Sequence, residues 1–311
     1  MHNNIVNCEE IVSKAKELGC RIFYDEPLSK RTTFKVGGAC YALICINSEK
    51  TAQELFTLAN EKKVPYLIIG KGSDLLVDDD GFKGIVFLMG KDFAGIRLID
   101  DYTIECEVGV PLARAAYFAY QHSLTGFEFA WGIPGNVGGA VFMNAGAYGG
   151  EIKDIIVSAT GIDKKGNIIN FNKEQLDMSY RHSVFTNGDY MITKAVFRLE
   201  KGEKQKIRAR MDELLQRRKD KQPLEYASAG STFKRPEGSY ASLLIEQCGL
   251  KGLNVGDAEV STKHSGFIIN KGNATCKDIL TLIDKVKEIV YEKTGYKLEC
   301  EVRIISSDTA E

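Results

Sequence analysis

Between Gly126 and Gly150 the chain reads GFEFAWGIPGNVGGAVFMNAGAYGG, and the reading of this stretch decides the fold. Glycine falls at 132, 135 and 138, then at 139, 146, 149 and 150. Glycine loses more backbone freedom on folding than any other residue, so this density needs a compensating reason. One reason is close passage of backbone around a flat or phosphorylated cofactor; the other is a tightly wound structural loop. The block is too long and too regular in its spacing to be an idle connection.

Upstream, Ile68–Leu76 reads IIGKGSDLL, a short apolar strand running into a turn of glycine and small polar residues. Gly70 and Gly72 let the backbone turn so that several N–H groups converge on one anion, with Lys71, Ser73 and Asp74 beside them. The spacing departs from the G-x-G-x-x-G of a Rossmann site and lacks the Lys-Ser/Thr ending of an NTPase loop. Taken alone it is equally a plain tight turn. Two such loops at strand ends favour a large dinucleotide.

Around these loops the pattern predicts a helix over Glu9–Leu18 closed by Gly19, a strand over Tyr41–Ile46 and a helix over Glu49–Lys63 ended by Pro65. A strand over Tyr66–Ile69 completes this α/β rhythm. From Gly81 to Glu200 strands dominate, at Ile85–Leu88, Thr103–Val108, Ile155–Asp163, Ile168–Phe171 and Tyr190–Leu199. One helix interrupts them, from Pro111, a favoured first-turn residue, to Tyr120. A charged helix over Lys204–Lys219 opens a third unit with helices over Ser239–Cys248 and Lys277–Lys293 and strands over Gly266–Ile269 and Lys297–Ile305. The expected units are 1–80, 81–200 and 201–305, with 306–311 a disordered tail.

The chain has 311 residues, enough for two or three packed units, and 41 basic against 42 acidic side chains. This balance provides no general attraction for nucleic acid or membrane, so an anionic ligand needs a local site. No run approaches the roughly 18 apolar residues of a spanning helix, and Met1–Glu10 is polar, unlike a secretory signal. Eight cysteines are scattered without a C-x-x-C pair, which points to reduced thiols and a cytoplasmic protein. No metal-ligand cluster stands out.

The motifs together resemble the UDP-N-acetylenolpyruvoylglucosamine reductases (UDP-N-acetylmuramate dehydrogenases). They are TTFKVGG (Thr32–Gly38), GKGSDLL (Gly70–Leu76), the Gly126–Ile152 block, SYRHSVF (Ser179–Phe185), KQP (Lys221–Pro223), GSTFKRPEG (Gly230–Gly238), GLKG (Gly249–Gly252), KHSGFIIN (Lys263–Asn270) and LECEVRII (Leu298–Ile305). They follow the family's order over nearly the whole chain. The resemblance implies an α+β protein: two subdomains of the vanillyl-alcohol-oxidase/PCMH type of FAD-binding fold and a C-terminal substrate domain. It implies non-covalent FAD, since neither glycine loop holds a histidine, and NADPH as co-substrate in a ping-pong cycle. The activity implied is reduction of UDP-N-acetylglucosamine enolpyruvate to UDP-N-acetylmuramate for peptidoglycan. The short spacing from Arg181 to Ser231 resembles the subtype without an extra tyrosine loop.

By the same resemblance the FAD contacts fall on Gly70, Lys71, Gly72, Ser73, Asp74, Gly132, Ile133, Pro134, Gly135, Gly138 and Gly139. The catalytic positions match Arg181, Ser231 and Glu301. Arg181 offers a charged planar fork for the substrate carboxylate. Glu301, expected in a final strand with Glu299 and Arg303 on one face, is a buried acid for the developing enolate. Ser231 matches the proton donor, although such serines more commonly cap turns or helices. Lys221 and Arg235 match positions near the nicotinamide and substrate, and Tyr180 and His264 are additional candidate substrate contacts. Two other readings stay open: an oxidase on the same flavin fold, and a flavin or nucleotide-sugar binding protein without catalysis.

Overall fold

The computed structural model describes residues 2–306. Its first sheet has the order Arg21–Tyr24, Cys40–Cys45, Phe82–Leu88, Tyr66–Ile69. The last three strands run parallel, and Arg21–Tyr24 is antiparallel to its neighbour. Parallel strands are covered on both faces, which is why Ala42, Leu43, Ile44 and Cys45 are all buried, without alternation. The helix Glu49–Glu61 covers one face; Ser48 accepts the N–H of Thr51 at 3.1 Å, and Ala52, Leu55, Phe56 and Ala59 pack inward at helical spacing. The helix His2–Glu17 lies beside it, and Gly19, at φ +71°, ends it as expected. The expected boundary after residue 80 cuts this sheet, because Phe82–Leu88 is its central strand.

A second sheet is antiparallel throughout, in the order Ile168–Asn172, Ile156–Asp163, Tyr190–Arg198, Thr103–Glu107, Ile96–Leu98. The helix Leu112–Gln121 packs against it, but Pro111 stands just outside as its extended N-cap, not in the first turn. The charged helix extends over Lys204–Lys221, and Ile207 and Met211 join the core that the second unit shares with the first. The expected boundary at 200 therefore separates that helix from the unit it packs on.

The third unit surrounds its own core with the helices Ala241–Gln247 and Cys276–Thr294 and the antiparallel strands Asn254–Val255, Ala258–Val260 and Ile268–Asn270. Thr275 and Asp278 form a capping box at the start of the long helix, and Gly295 closes it at φ +76°. Asp79, from beside the first glycine loop, accepts the N–H groups of Cys276 (2.8 Å) and Lys277 (3.2 Å). Phe34 and Val36 enter the same core, and Asn270 donates to the carbonyl of Phe34 at 3.1 Å.

The end of the chain joins the units. Phe233 and Cys300 form an antiparallel bridge; Lys234 N–H donates to Glu299 and Glu301 N–H to Thr232, each at 2.9 Å. Then the segment changes partner, and Arg303–Ile305 pairs in parallel with Leu75–Val77. The expected strand over Lys297–Ile305 is thus reduced to Arg303–Ile305, since no single ladder survives the change of partner. The expected common face fails for the same reason: the Glu299 side chain is 76 % exposed and that of Glu301 only 10 %. Of the expected tail, residues 307–311 lie outside the described residues.

This joint makes a paired prediction. Ile305, 2 % exposed, and Ile304, 43 % exposed, are neighbours on opposite sides of the last strand. Ile305→Ala should lower unfolding free energy by about 2–5 kcal/mol and Ile304→Ala by less than about 0.5 kcal/mol, read from urea denaturation.

Candidate active site

The long glycine block starts as an extended partner of Val108–Leu112. Gly138 N–H donates to Val108 (2.9 Å), Val137 N–H to Val110 (2.8 Å), and Leu112 N–H to Gly135 (2.9 Å). It then turns into the short helix Val137–Phe142. Its glycines divide into two groups by what surrounds them. A Cβ at Gly138 would lie 2.9 Å from Val108 Cβ and at Gly150 2.7 Å from the Phe129 ring, so these positions are closed by the protein itself, whereas at Gly132 it would meet only the flexible Arg218 side chain at 2.9 Å. At Gly139 a Cβ would meet nothing within 4 Å, and at Gly135 nothing nearer than 3.6 Å. Those two open onto a cavity.

That cavity, about 1050 Å³ including its mouth, lies between the two glycine loops. Of the expected cofactor residues, Gly70, Lys71, Ser73, Asp74, Ile133, Gly135, Gly138 and Gly139 line it. Gly72, Gly132 and Pro134 do not; Gly72 takes φ +58° with its α-carbon face against the Arg31 carbonyl, so its part is to make the turn. Ile69, Met89, Leu112, Phe185 and Ile192 add apolar surface. Asn136, which the sequence reading did not single out, donates from Nδ2 to the Met89 carbonyl (2.9 Å), while its buried Oδ1 has no partner among the described residues. Small residues, backbone amides and apolar walls fit a flat, phosphorylated cofactor.

At the rim, Ser179 and His182 exchange both backbone hydrogen bonds at 3.2 Å, leaving Tyr180 and Arg181 as the tip of a tight turn. Arg181 takes φ +56°, an uncommon conformation for a side-chain-bearing residue. The turn is tied to the glycine block: Ser183 Oγ donates to Phe142 (2.6 Å) and Asn144 Nδ2 to the Ser179 carbonyl (2.9 Å). Arg181 Nε donates to Glu301 Oε1 at 2.6 Å, with side chains 19 % and 10 % exposed. The Tyr180 hydroxyl approaches the other Glu301 oxygen at 3.5 Å and accepts the Arg235 N–H at 3.1 Å. Burial pushes the Glu301 carboxyl above its usual range despite the arginine beside it. Burial acts against the Arg181 cation, but the Glu301 charge outweighs it and holds the guanidinium protonated.

Ser231 follows Gly230, itself at φ +79°, and caps no helix. Its neighbour Thr232 is held on three sides: its N–H donates to Gly266 (2.8 Å), its carbonyl accepts Glu301 N–H (2.9 Å), and its hydroxyl accepts Ile268 N–H (3.1 Å). The structure therefore brings Tyr180, Arg181 and Glu301 together beside Asp74 of the cavity wall, and hydrogen-bonds Thr232, the residue after Ser231, to the backbone of Glu301. Arg235 contributes its backbone N–H there, while its guanidinium lies 4.7 Å over the exposed Tyr240 ring. Lys221 and His264 form a separate neighbourhood. Lys221 ends its helix, and Lys263 Nζ ties the KHSG turn to that helix end through the Lys219 carbonyl at 2.7 Å. His264 accepts the Gly266 N–H at 3.2 Å; burial lowers its pKa, with the Lys251 and Lys221 cations acting in the same direction. Among the described residues no group of three or more His, Cys, Asp or Glu forms a metal site, and all eight cysteines are free thiols.

Comparison with known proteins agrees with this geometry. A family model described as FAD binding domain matches residues 41–172, and one described as UDP-N-acetylenolpyruvoylglucosamine reductase, C-terminal domain, matches 222–305. The chain is 50 % identical over 278 residues to the UDP-N-acetylenolpyruvoylglucosamine reductase of Clostridium novyi, covering 89 % of this chain and 90 % of that one. It is 42 % identical over 301 residues to that of Caldanaerobacter subterraneus, covering 96 % and 98 %. The crystal structure of the reductase from Thermus caldophilus superposes with a TM-score of 0.76 at 33 % identity, over 92 % of this chain and 99 % of that one.

The Arg181–Glu301 pair can be tested by a double-mutant cycle. Arg181→Met leaves a buried carboxyl without its partner and should cost about 3–5 kcal/mol. Adding Glu301→Leu should restore more than half of that loss, and additive effects in urea denaturation would show the two groups to be uncoupled.

Proposed function

The chain belongs to the family of UDP-N-acetylenolpyruvoylglucosamine reductases, and from that premise we propose how its residues reduce the enolpyruvyl group of UDP-N-acetylglucosamine enolpyruvate to the lactyl group of UDP-N-acetylmuramate. The two glycine loops, through Gly70, Lys71, Ser73, Gly135 and Gly139, would hold non-covalent FAD, which would supply hydride transfer from NADPH. The observation that supports the assignment of roles is the Arg181–Glu301 pair, which faces Asp74 of the cavity wall and is hydrogen-bonded through the Glu301 backbone to the loop that carries Ser231.

Arg181 binds the carboxylate of the enolpyruvyl group. Its Nε is committed to Glu301, and its terminal N–H groups remain to grip a carboxylate. Glu301, with its raised pKa, stays protonated nearer neutral pH than an ordinary glutamate and donates to the oxygen on which negative charge develops. Ser231 delivers its hydroxyl proton to C2, with Lys234 and the fixed backbone of Thr232 steadying the loop. Lys221, His264, Tyr180 and Arg235 receive the nucleotide-sugar.

The division of the chain that fits the packing runs 2–88, 89–221 and 222–305. Its place of work is the cytoplasm: no helix among the described residues is long and apolar enough to cross a membrane, and the cysteines are unpaired.

An anaerobic titration tests the assignment. NADPH should bleach the flavin band near about 450 nm, and UDP-N-acetylglucosamine enolpyruvate should restore it. Ser231→Ala should leave bleaching intact and slow recovery by about 10²–10⁴-fold. Bleaching without recovery in the unaltered protein would replace this reading with that of an oxidase on the same fold.

A further inference from the structure

The inference rests on the flavin reading above and concerns an acid to which that mechanism gives no proton role. Asp74 is the only acidic residue in the described wall of the cofactor cavity. Its backbone is fixed, since its carbonyl accepts the Arg303 N–H at 3.0 Å where the last strand begins. Its side-chain carboxyl takes part in no hydrogen bond or salt bridge among the described residues. The charged groups facing it are Glu301 from the C-terminal segment, Arg181 from the rim turn and Arg303 from the last strand. Lys71 on its own loop and Tyr190 across the cavity are the other ionisable groups of that wall.

An ionised Asp74 would lack donors, would stand beside a second carboxyl, and would face a cofactor whose pyrophosphate is anionic. Arg181 offers little relief, because Glu301 already holds it. We propose that Asp74 works as a neutral carboxylic acid, its O–H turned to the bound flavin dinucleotide, a donor where a carboxylate would repel the cofactor. Burial first, and the Glu301 charge second, push the Asp74 carboxyl up to about 8, against the pull of Arg303 and Arg181. A carboxyl kept neutral at pH 7 by an apolar site, so that it can donate a hydrogen bond, is known chemistry.

The sign of the pH effect follows. Below about pH 8 the acid is protonated and the donor is present; above it ionisation removes the donor and adds repulsion. The full-length chain, stripped of flavin, is titrated with FAD at several values from about pH 6 to 9.5, following the change in flavin fluorescence. The wild-type Kd should rise by about tenfold or more between pH 7 and 9.5. Asp74→Asn keeps a donor at every pH; it should bind within about threefold of wild type at pH 7 and vary less than about threefold across the range. Asp74→Leu should bind weakly at both ends.

Thermal unfolding of the flavin-free chain gives an independent readout. A carboxyl whose pKa is raised from 3.8 to about 8 on folding loses its stabilising contribution as pH rises through that window. Wild type should therefore lose Tm relative to Asp74→Asn between about pH 4 and 8. A wild-type Kd that is flat with pH, or an Asp74→Asn variant that declines in parallel with it, overturns the neutral-acid role while leaving the flavin reading intact. Failure of wild type to bind FAD at any pH overturns both.

Discussion

The change of partner between Glu299 and Arg303 is the constraint on which the site depends. Glu299–Glu301 is hydrogen-bonded to the loop that carries Ser231, and two residues later Arg303–Ile305 is a strand beside the first glycine loop. Glu301 sits between those attachments. Its position is therefore fixed from two units at once, one contributing the loop that carries Ser231 and the other the cavity wall. Asp79 adds a second tie, since its carboxylate satisfies the amide groups at the start of the helix Cys276–Thr294. Those groups have no partners within the helix, and a negative charge is favoured there.

The Arg181–Glu301 pair is better understood as a positioning device than as a source of stability. Taking both charges out of water costs several kcal/mol, which their attraction offsets only when the geometry is good. A 2.6 Å contact from Nε meets that condition and leaves the rest of the guanidinium for a ligand. The backbone of Arg181 at φ +56° adds a further cost of about 1–2 kcal/mol, tolerated because the turn is over-determined by Ser183 and Asn144. The raised pKa of Glu301 fits the same view: the site holds an acid in readiness, in surroundings that do not favour its charge.

Most of the fold was legible in the sequence, because its helices and long strands carry their own periodicity. The Glu49–Glu61 helix begins at the expected residue, and Tyr66–Ile69 and Ile168–Asn172 lie within one residue of expectation. The failures have a common physical origin. Residue 80 reads as a boundary because strands dominate from Gly81 onward, yet the strand that follows returns to complete the first sheet. Lys297–Ile305 reads as one strand because charged and apolar residues alternate along it, and nothing local records that its hydrogen-bond partner changes at its middle. Sheet membership is a long-range property and is absent from any single segment. The candidate site followed the same division: Arg181, Ser231 and Glu301 were found by motif, whereas Asn136 needed the structure, its orphaned oxygen being visible only with its neighbours in place.

The two glycine loops show why composition alone could not choose between a cofactor cradle and a wound structural loop. Gly138, Gly146 and Gly150 are excluded from substitution by the protein's own atoms, while Gly135 and Gly139 meet open space. Close winding at the first set brings the second set to the cavity wall, since Gly138 must press on Val108 for Gly139 to stand at the opening. The packing glycines thus shape the cavity wall through their contacts with the rest of the protein. A side chain at Gly138 would push the loop off Val108 and displace the backbone that faces the cofactor. In this block the cost in conformational entropy supports structure and binding through the same turns of chain, which is why neither reading was sufficient by itself.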